Sequence, residues 1–296
     1  MAERGEVIFL GGTAFSGADA VGRVLEAHRD VAPISIPAGL NGDVRGIPAL
    51  LAGRIGQEDF LAGLSRQRAQ RGAVRGGGDR DRRWDVAIEH FRAAYEADPL
   101  EACRALFWDL AEGPAEGDGA LALLETSPGN LREAHTMGRL VPEAAFVHVV
   151  RDGRDVAVDR RDSSPRSPRV STALVWWANE LRDIERGIRG EEDGALYGIP
   201  EERFALVVVD ELASSERVAQ WAALMERLGL DDDPALRAIA GRELDQAAVG
   251  HERWRERVRG PARWRLGRRY RELLGELERE GNHAAPALIR AHERSP

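Results

Sequence analysis

The chain is 296 residues long and has a net charge of −8; all 42 of its basic residues are arginine. This length allows one large α/β domain or two smaller ones around a substantial core. The acidic balance disfavours general nucleic-acid binding, which depends on neutralising phosphates. Neither a bilayer-spanning apolar segment nor a secretory signal is found, so we expect a soluble, cytoplasmic protein. We attribute the absence of lysine to a genomic composition bias.

The first element is an apolar strand that runs through a glycine-punctuated turn, residues 11–17, into a helical pattern. Such a turn offers unpaired backbone N–H groups at the positive end of the helix dipole, which favours an anion. The turn has the glycine spacing of a Walker loop, but Ala18 and Asp19 stand where that motif needs Lys and a hydroxyl. The turn therefore predicts an anion site and disfavours an ordinary NTPase or kinase. A purely structural turn is the alternative.

Five short apolar runs alternate with helical patterns, which predicts a parallel sheet covered by helices on both faces. The runs are residues 6–10, 31–36, 120–124, 145–150 and 204–209. Polar segments follow the last three runs, at residues 125–128, 151–155 and 210–211. Ligands of open parallel sheets bind beyond the carboxyl ends of the strands. We therefore expect these segments and the glycine turn to meet in one crevice.

Between the second and third strands we predict a helical insertion, at about residues 46–115, within a single domain over residues 1–296. Its predicted helices are 47–55, 59–64, 84–96 and 99–111. Residues 66–83 are rich in Arg, Gly, Gln and Asp, which predicts a loop whose arginines are solvated or contact an anionic substrate. A second loop is predicted at 160–169, followed by helices at 171–189, 215–228 and 266–280. Cys103 is expected to be a buried helical thiol rather than a nucleophile.

Taken together, these segments resemble the sulfotransferases that use 3′-phosphoadenosine-5′-phosphosulfate (PAPS). Residues 9–17 and 21–31 resemble the family's 5′-phosphosulfate loop and first helix, and residues 149–157 resemble its 3′-phosphate segment, the more specific match. Residues 124–131 resemble its E-K-[ST]-P-x-N strand end, and residues 204–228 its late Tyr-Glu-Asp-Leu strand and helix. The resemblance implies a three-layer α/β fold of the P-loop NTPase type with about five parallel strands.

The resemblance also implies an activity: transfer of a sulfuryl group from PAPS to a hydroxyl or amine of a small molecule or peptide, with no metal. It places the donor against Ala14, Phe15, Ser16, Gly17, Ala18, Asp19, Ser127, Arg151 and Asp159. The forked guanidinium of Arg151 suits the 3′-phosphate, with a salt bridge to Asp155 as the structural alternative. Ser127 either donates to the sulfate or shapes its turn.

Residues 42–48, Gly-Asp-Val-Arg-Gly-Ile-Pro, resemble the G-E-T-R-V-I-P segment of tyrosylprotein sulfotransferases. In this resemblance Asp43 is the general base and Arg45 steadies the site. A carboxylate that takes the proton from an attacking hydroxyl contributes roughly 10²–10⁴-fold to the rate. The alternative is that Asp43 caps a helix that begins near Arg45.

Several positions depart from the family pattern, and each change removes a donor or adds negative charge. They are Phe15 for the loop cation, Ala18 and Asp19 for hydroxyls, Thr126 for Lys, and Asp159 for Ser. Arg45, Arg154 and Arg160 are candidates for a replacement cation, although Arg154 is expected to face solvent or to pair with a neighbouring acid. Three functions follow: a divergent PAPS-dependent sulfotransferase, a binding or assembly subunit that has lost transfer, and an enzyme with a less anionic donor.

Overall fold

A computed structural model describes residues 6–37, 40–41, 45–72, 79–111, 120–127, 129–190, 199–212, 217–245 and 250–294. Within these residues five parallel strands form one sheet in the order β2-β3-β1-β4-β5. The strands are β1 (Glu6–Gly12), β2 (Val31–Pro33), β3 (Ala122–Glu125), β4 (Ala145–Val150) and β5 (Phe204–Val208). The predicted α/β fold with a five-stranded parallel sheet is confirmed.

Helices cover both faces of this sheet, and four of those in the described ranges lie between β2 and β3. The helices up to β4 are α1 (Ala18–Glu26), α2 (Ile47–Leu51), α3 (Gln57–Gly72), α4 (Asp79–Tyr95), α5 (Pro99–Leu110) and α6 (Ala134–Leu140). Those after β4 are α7 (Gly153–Asp162), α8 (Val170–Arg189), α9 (Val209–Leu212), α10 (Arg217–Arg227), α11 (Pro234–Glu243), α12 (Arg253–Arg257), α13 (Pro261–Arg279) and α14 (Ala285–Arg294). Among the described residues, no helix has the length and apolarity to cross a membrane.

Strand β1 shows how the sheet organises the core, because alternate side chains point to opposite faces. Val7 and Phe9 belong to the cluster that includes the helices between β2 and β3, and the Phe9 ring stacks on Phe146 with centroids 5.4 Å apart. Ile8 and Leu10 belong to the opposite cluster, which includes α1 and α10. Burial on both faces explains why the strand is continuously apolar.

The loop predicted at residues 66–83 is wrong where the structure describes it. Helix α3 continues through Gly72, and α4 begins at Asp79; residues 73–78 lie outside the described residues. The helices form because each carries a narrow buried stripe, Phe60 and Leu64 on α3 and Trp84 and Phe91 on α4. These four residues lie within the predicted helices 59–64 and 84–96, and the structure extends both helices into the charged segment between them.

Two further boundaries differ from the predicted ones. Helix α7 extends to Asp162, so the loop before α8 is shorter than the predicted 160–169. Strand β2 ends at Pro33 rather than at residue 36. Proline lacks the N–H group that the sheet ladder requires, and Pro33 is the last residue of this edge strand.

Cys103 is a buried residue of α5, as the sequence predicts. Burial raises the pKa of its thiol to about 12, and the charge of Arg139 opposes this only in part. The thiolate is the nucleophilic form of cysteine, so the raised pKa keeps this side chain unreactive.

A chain of hydrogen bonds joins the segment before α14 to the centre of the sheet. His283 Nδ1 lies 2.5 Å from a Glu185 carboxylate oxygen, and His283 Nε2 lies 2.7 Å from His148 Nδ1. His148 is fully buried on β4, and burial, followed by the charge of His283, lowers its pKa well below the usual value. In the folded protein His148 is therefore neutral.

The lowered pKa predicts a loss of stability in acid. In the unfolded chain the pKa of histidine is about 6.5, and above that pH the contribution of His148 to the free energy of unfolding is fully present. Below that pH the unfolded chain takes up a proton on this residue while the folded protein does not, so the contribution falls. The free energy of unfolding should therefore decrease by up to about 1.4 kcal/mol per pH unit below that value from this residue. Urea unfolding at several pH values should show a flatter profile for His148→Asn.

The matched control is His90→Asn, because His90 is exposed on α4. It should retain the pH profile of the wild-type protein. If His148→Asn has the same slope as His90→Asn, His148 does not contribute to the acid sensitivity.

Candidate functional site

Arg151 lies at the carboxyl end of β4 and joins three parts of the chain. Its side chain is only 4% exposed. Nη1 donates to the Phe15 carbonyl oxygen at 3.1 Å and to Asp159 Oδ2 at 2.8 Å, while Nη2 donates to the Gly250 carbonyl oxygen at 2.9 Å. The glycine turn, α7 and the segment before α12 therefore meet at this guanidinium group.

Asp159 is held between two arginines. While Oδ2 accepts from Arg151, Oδ1 accepts from Arg253 Nη1 at 2.7 Å. The Asp159 side chain is 15% exposed and that of Arg253 is 38% exposed, so the pair opens towards solvent on the Arg253 side. A carboxylate therefore fills the space on which the two guanidinium groups converge.

Asp155, the alternative partner that the sequence suggested for Arg151, has another role. Its oxygens accept the backbone N–H groups of Glu252 at 2.9 Å and Trp254 at 2.7 Å, at the start of α12. Burial raises the pKa of Asp155 to about 7; the negative charge of Asp152 acts in the same direction, and Arg151 opposes it. Asp155 thus fastens the segment that carries Gly250 and Arg253 to α7.

Asp210 follows β5 and pairs with His251 Nδ1 at 2.9 Å; its other oxygen accepts the N–H of Asp152 at 2.8 Å. The hydrogen bond to Asp210 raises the pKa of His251. Ligating atoms of Asp155, Asp210 and His251 lie within 4.8 Å of one another. Because the carboxylate oxygens already accept hydrogen bonds from backbone or imidazole, we assign no metal to this cluster.

The glycine turn is closely packed beneath its backbone. A Cβ atom on Gly12 would lie 2.2 Å from the Val149 carbonyl oxygen and 2.5 Å from Ser16 Oγ. Ser16 Oγ is buried and has no hydrogen-bond partner among the described residues. The Ser16 hydroxyl therefore lies beneath the turn, and anion binding here depends on backbone groups.

The outer side of the turn is aromatic and acidic. Phe15 has a left-handed backbone with φ of 65°, uncommon for a residue other than glycine, and its side chain is 42% exposed. Gly17 has φ of 88° and precedes the first residue of α1, Ala18. Asp19 is exposed in the first turn of α1.

A carboxylate already contacts this turn. The Ala14 N–H donates to Glu180 Oε2 of α8 at 3.1 Å, and Glu180 Oε1 accepts from Arg160 Nη2 at 2.5 Å. The Arg160 guanidinium also lies 5.9 Å from the ring centre of Trp176, which is 47% exposed. Arg160, one of the candidate replacement cations, is therefore paired with Glu180.

Arg154 is paired with a neighbouring acid, one of the two environments expected for it, and is buried. Its Nε lies 3.0 Å from Asp152 Oδ1, and its Nη2 lies 2.5 Å from Asp152 Oδ2. The guanidinium carbon lies 4.1 Å from the ring centre of Trp254 and 4.6 Å from that of Tyr270. Arg154 thus connects α7 with α12 and α13 and does not face the turn.

Ser127 follows β3, and its hydroxyl donates to Glu125 Oε1 at 2.5 Å. Its N–H donates to the other Glu125 oxygen at 3.0 Å. Burial raises the pKa of Glu125, and the hydrogen bonds from Ser127 and Asn130 oppose that effect. Of the two roles considered for Ser127, these contacts match the shaping of its turn.

The predicted catalytic pair is described only in part. Asp43 lies outside the described residues. Arg45 is exposed just before α2, whose N-cap is Gly46. Sequence reasoning missed Glu180 and Arg253, because each reaches the site from a distant helix without a motif of its own.

A sequence model described as the sulfotransferase family matches residues 7–234, which is most of the chain. The chain belongs to the sulfotransferase family. No curated protein matches this chain significantly.

Several solved sulfotransferase structures are similar to this family member. The sulfotransferase domain of the Synechococcus PCC 7002 olefin synthase is 16% identical, with a TM-score of 0.45 and coverage of 90% of this chain and 94% of that one. The sulfotransferase domain of the curacin biosynthetic pathway is 15% identical, with a TM-score of 0.43 and coverage of 90% and 96%. Sulfotransferase STF1 from Mycobacterium tuberculosis is 14% identical, with a TM-score of 0.43 and coverage of 86% and 76%.

The position of α7 against α8 yields a testable prediction. A Cβ atom on Gly153 would lie 2.6 Å from ring atoms of Trp177, so Gly153→Ala should force these helices apart. Overpacking of this kind lowers the free energy of unfolding by about 1–3 kcal/mol. Urea unfolding measures the change.

Gly267→Ala in α13 is the matched control, because nothing lies within 4 Å of a Cβ atom there. Alanine at an open helical position should stabilise the protein by up to about 1 kcal/mol. Equal effects of the two substitutions would contradict the close approach of α7 to Trp177.

Proposed function

We propose that this sulfotransferase-family protein has lost PAPS-dependent sulfuryl transfer and serves as a binding or assembly subunit. The observation that carries the proposal is the Asp159 carboxylate, held at 2.8 Å by Arg151 and at 2.7 Å by Arg253. The Asp159 carboxylate is part of the protein, and it pairs with the arginine that the family resemblance assigns to the 3′-phosphate.

The 3′-phosphate end of PAPS does not fit this arrangement. A phosphate on the fork of Arg151 would meet the Asp159 carboxylate at the same Nη1 atom. Desolvated like charges placed together cost several kcal/mol. The remaining donor contacts of Arg151 are directed to the Phe15 and Gly250 carbonyl oxygens.

The phosphosulfate end does not fit either. The Ala14 N–H donates to Glu180, and Asp19 adds a negative charge to the first turn of α1. Two of the candidate cations are already paired with carboxylates of the protein, Arg160 with Glu180 and Arg154 with Asp152. Removing one preorganised donor from a site that stabilises developing charge costs on the order of 10²–10³ in rate.

The exposed aromatic side chains support a ligand with little negative charge. Phe15 is adjacent to Ala14, which binds Glu180, and Trp176 lies one helical turn before Glu180 on α8. The rings are 42% and 47% exposed. Exposed aromatic side chains therefore lie in the turn and on the helix that contacts it, and Phe15 stands where the family pattern has a cation.

A second function competes with this one: transfer of a sulfuryl group from PAPS to a hydroxyl or amine of a small molecule or peptide. It is favoured by the contact between Arg151 and the turn, 3.1 Å from Nη1 to the Phe15 carbonyl oxygen. The two segments that the resemblance assigns to the donor thus meet. Asp43 as general base and Arg45 as its support stay predictions.

Isothermal titration with adenosine 3′,5′-bisphosphate distinguishes the two functions. We expect the wild-type protein to show no binding at about 1 mM ligand, which corresponds to less than about 4 kcal/mol of binding free energy. A cooperative thermal unfolding transition of the same sample shows that the protein is folded.

An assay for PAPS consumption with hydroxyl and amine acceptors completes the test. We expect no product above the rate without protein. Tight binding of the bisphosphate together with turnover of PAPS would overturn the proposed loss of transfer.

A further inference from the structure

We propose that Asp159 is the specificity-determining residue that keeps phosphate-bearing ligands out of the crevice, and that Arg151 and Arg253 form a latent oxyanion site beneath its carboxylate. The proposal rests on the proposed function, since it names the side chain responsible for excluding the anionic donor. Its ligand class is a phosphate monoester.

The two guanidinium groups converge in the way that oxyanion recognition requires. Each donates through Nη1 to a different oxygen of Asp159, at 2.8 Å from Arg151 and 2.7 Å from Arg253. Arginine is suited to sites where two oxygens of a carboxylate or phosphate are recognised together. The geometry that binds this carboxylate therefore also suits two oxygens of a phosphate.

Arg151 keeps its position without Asp159, because other contacts hold it. Its Nη1 and Nη2 donate to the Phe15 and Gly250 carbonyl oxygens, at 3.1 and 2.9 Å. Gly250 has φ of +66°, and a Cβ atom there would lie 3.0 Å from Arg151 Nη2. Arg151 Nε is buried and has no partner among the described residues. Removal of the carboxylate thus leaves a preorganised guanidinium.

The charges favour a phosphate once the carboxylate is removed. Asp159 offers one negative charge to two arginines, and its replacement leaves both guanidinium groups without their shared carboxylate. A phosphate monoester carries a charge of about −1.5 to −2 at neutral pH. Because Arg253 is 38% exposed, an external anion can reach this site.

The test is titration of Asp159→Ser with adenosine 3′,5′-bisphosphate and with adenosine 5′-monophosphate. We expect the variant to bind the bisphosphate about tenfold to hundredfold more tightly than the wild-type protein does, the usual worth of a charge-assisted contact. The monophosphate, which lacks the second phosphate, should gain less. Asp159→Asn keeps the side-chain size and should show the same order of effect if Asp159→Ser folds poorly.

Asp85→Asn is the matched control, because the Asp85 carboxylate on α4 pairs with Arg68 and not with either arginine of the site. It removes the same charge and should not improve binding. Adding Arg253→Gln to Asp159→Ser should abolish the gain, which assigns the gain to the converging arginines.

The outcomes separate the two proposals. Tight binding of the bisphosphate by the wild-type protein overturns the proposed function. Folded Asp159→Ser and Asp159→Asn proteins that bind the bisphosphate no more tightly than Asp85→Asn overturn the role of Asp159. In that case the wild-type result still tests the proposed function independently.

Discussion

The buried guanidinium group of Arg151 is the constraint on which this end of the sheet depends. A charge that is 4% exposed must be neutralised and hydrogen-bonded, since an uncompensated buried charge costs about 3–5 kcal/mol. Its partners come from three places: Phe15 in the turn, Asp159 on α7 and Gly250 before α12. Satisfying one side chain thus holds together segments that are far apart in the sequence.

The other charged residues that follow β4, along α7, are likewise paired or hydrogen-bonded. Asp152 pairs with Arg154, while Asp155 accepts two backbone N–H groups at the start of α12. These groups are buried and satisfied by one another or by backbone, as buried polar networks must be. The segment that most resembles a nucleotide-binding motif is therefore also the ionic link to the C-terminal helices.

The sequence predicts the sheet well because each strand lies in a short apolar run, and four of the five runs are followed by glycine or a polar residue. It fails over residues 66–72 and 79–83, which extend the predicted helices 59–64 and 84–96 but are dominated by charged and polar residues. Long-range partners are a different matter. The contact between Ala14 and Glu180 spans 166 residues, and local periodicity carries no information on such a pairing. The sequence identifies Asp159 as a departure from the family pattern, but it gives no sign that Arg253 is the second partner of Asp159.

The departures from the family pattern differ in how far the stability of the fold depends on them. The side chain at position 15 is exposed, so no buried charge depends on the cation that Phe15 replaces. Arg151 is buried, so its guanidinium requires a directly paired counter-charge beside its electrostatic interaction with Asp155. A carboxylate at position 159 supplies that counter-charge from within the chain. Retention of Arg151 alongside loss of the loop cation is therefore what we expect when a protein anion takes the place of a ligand phosphate.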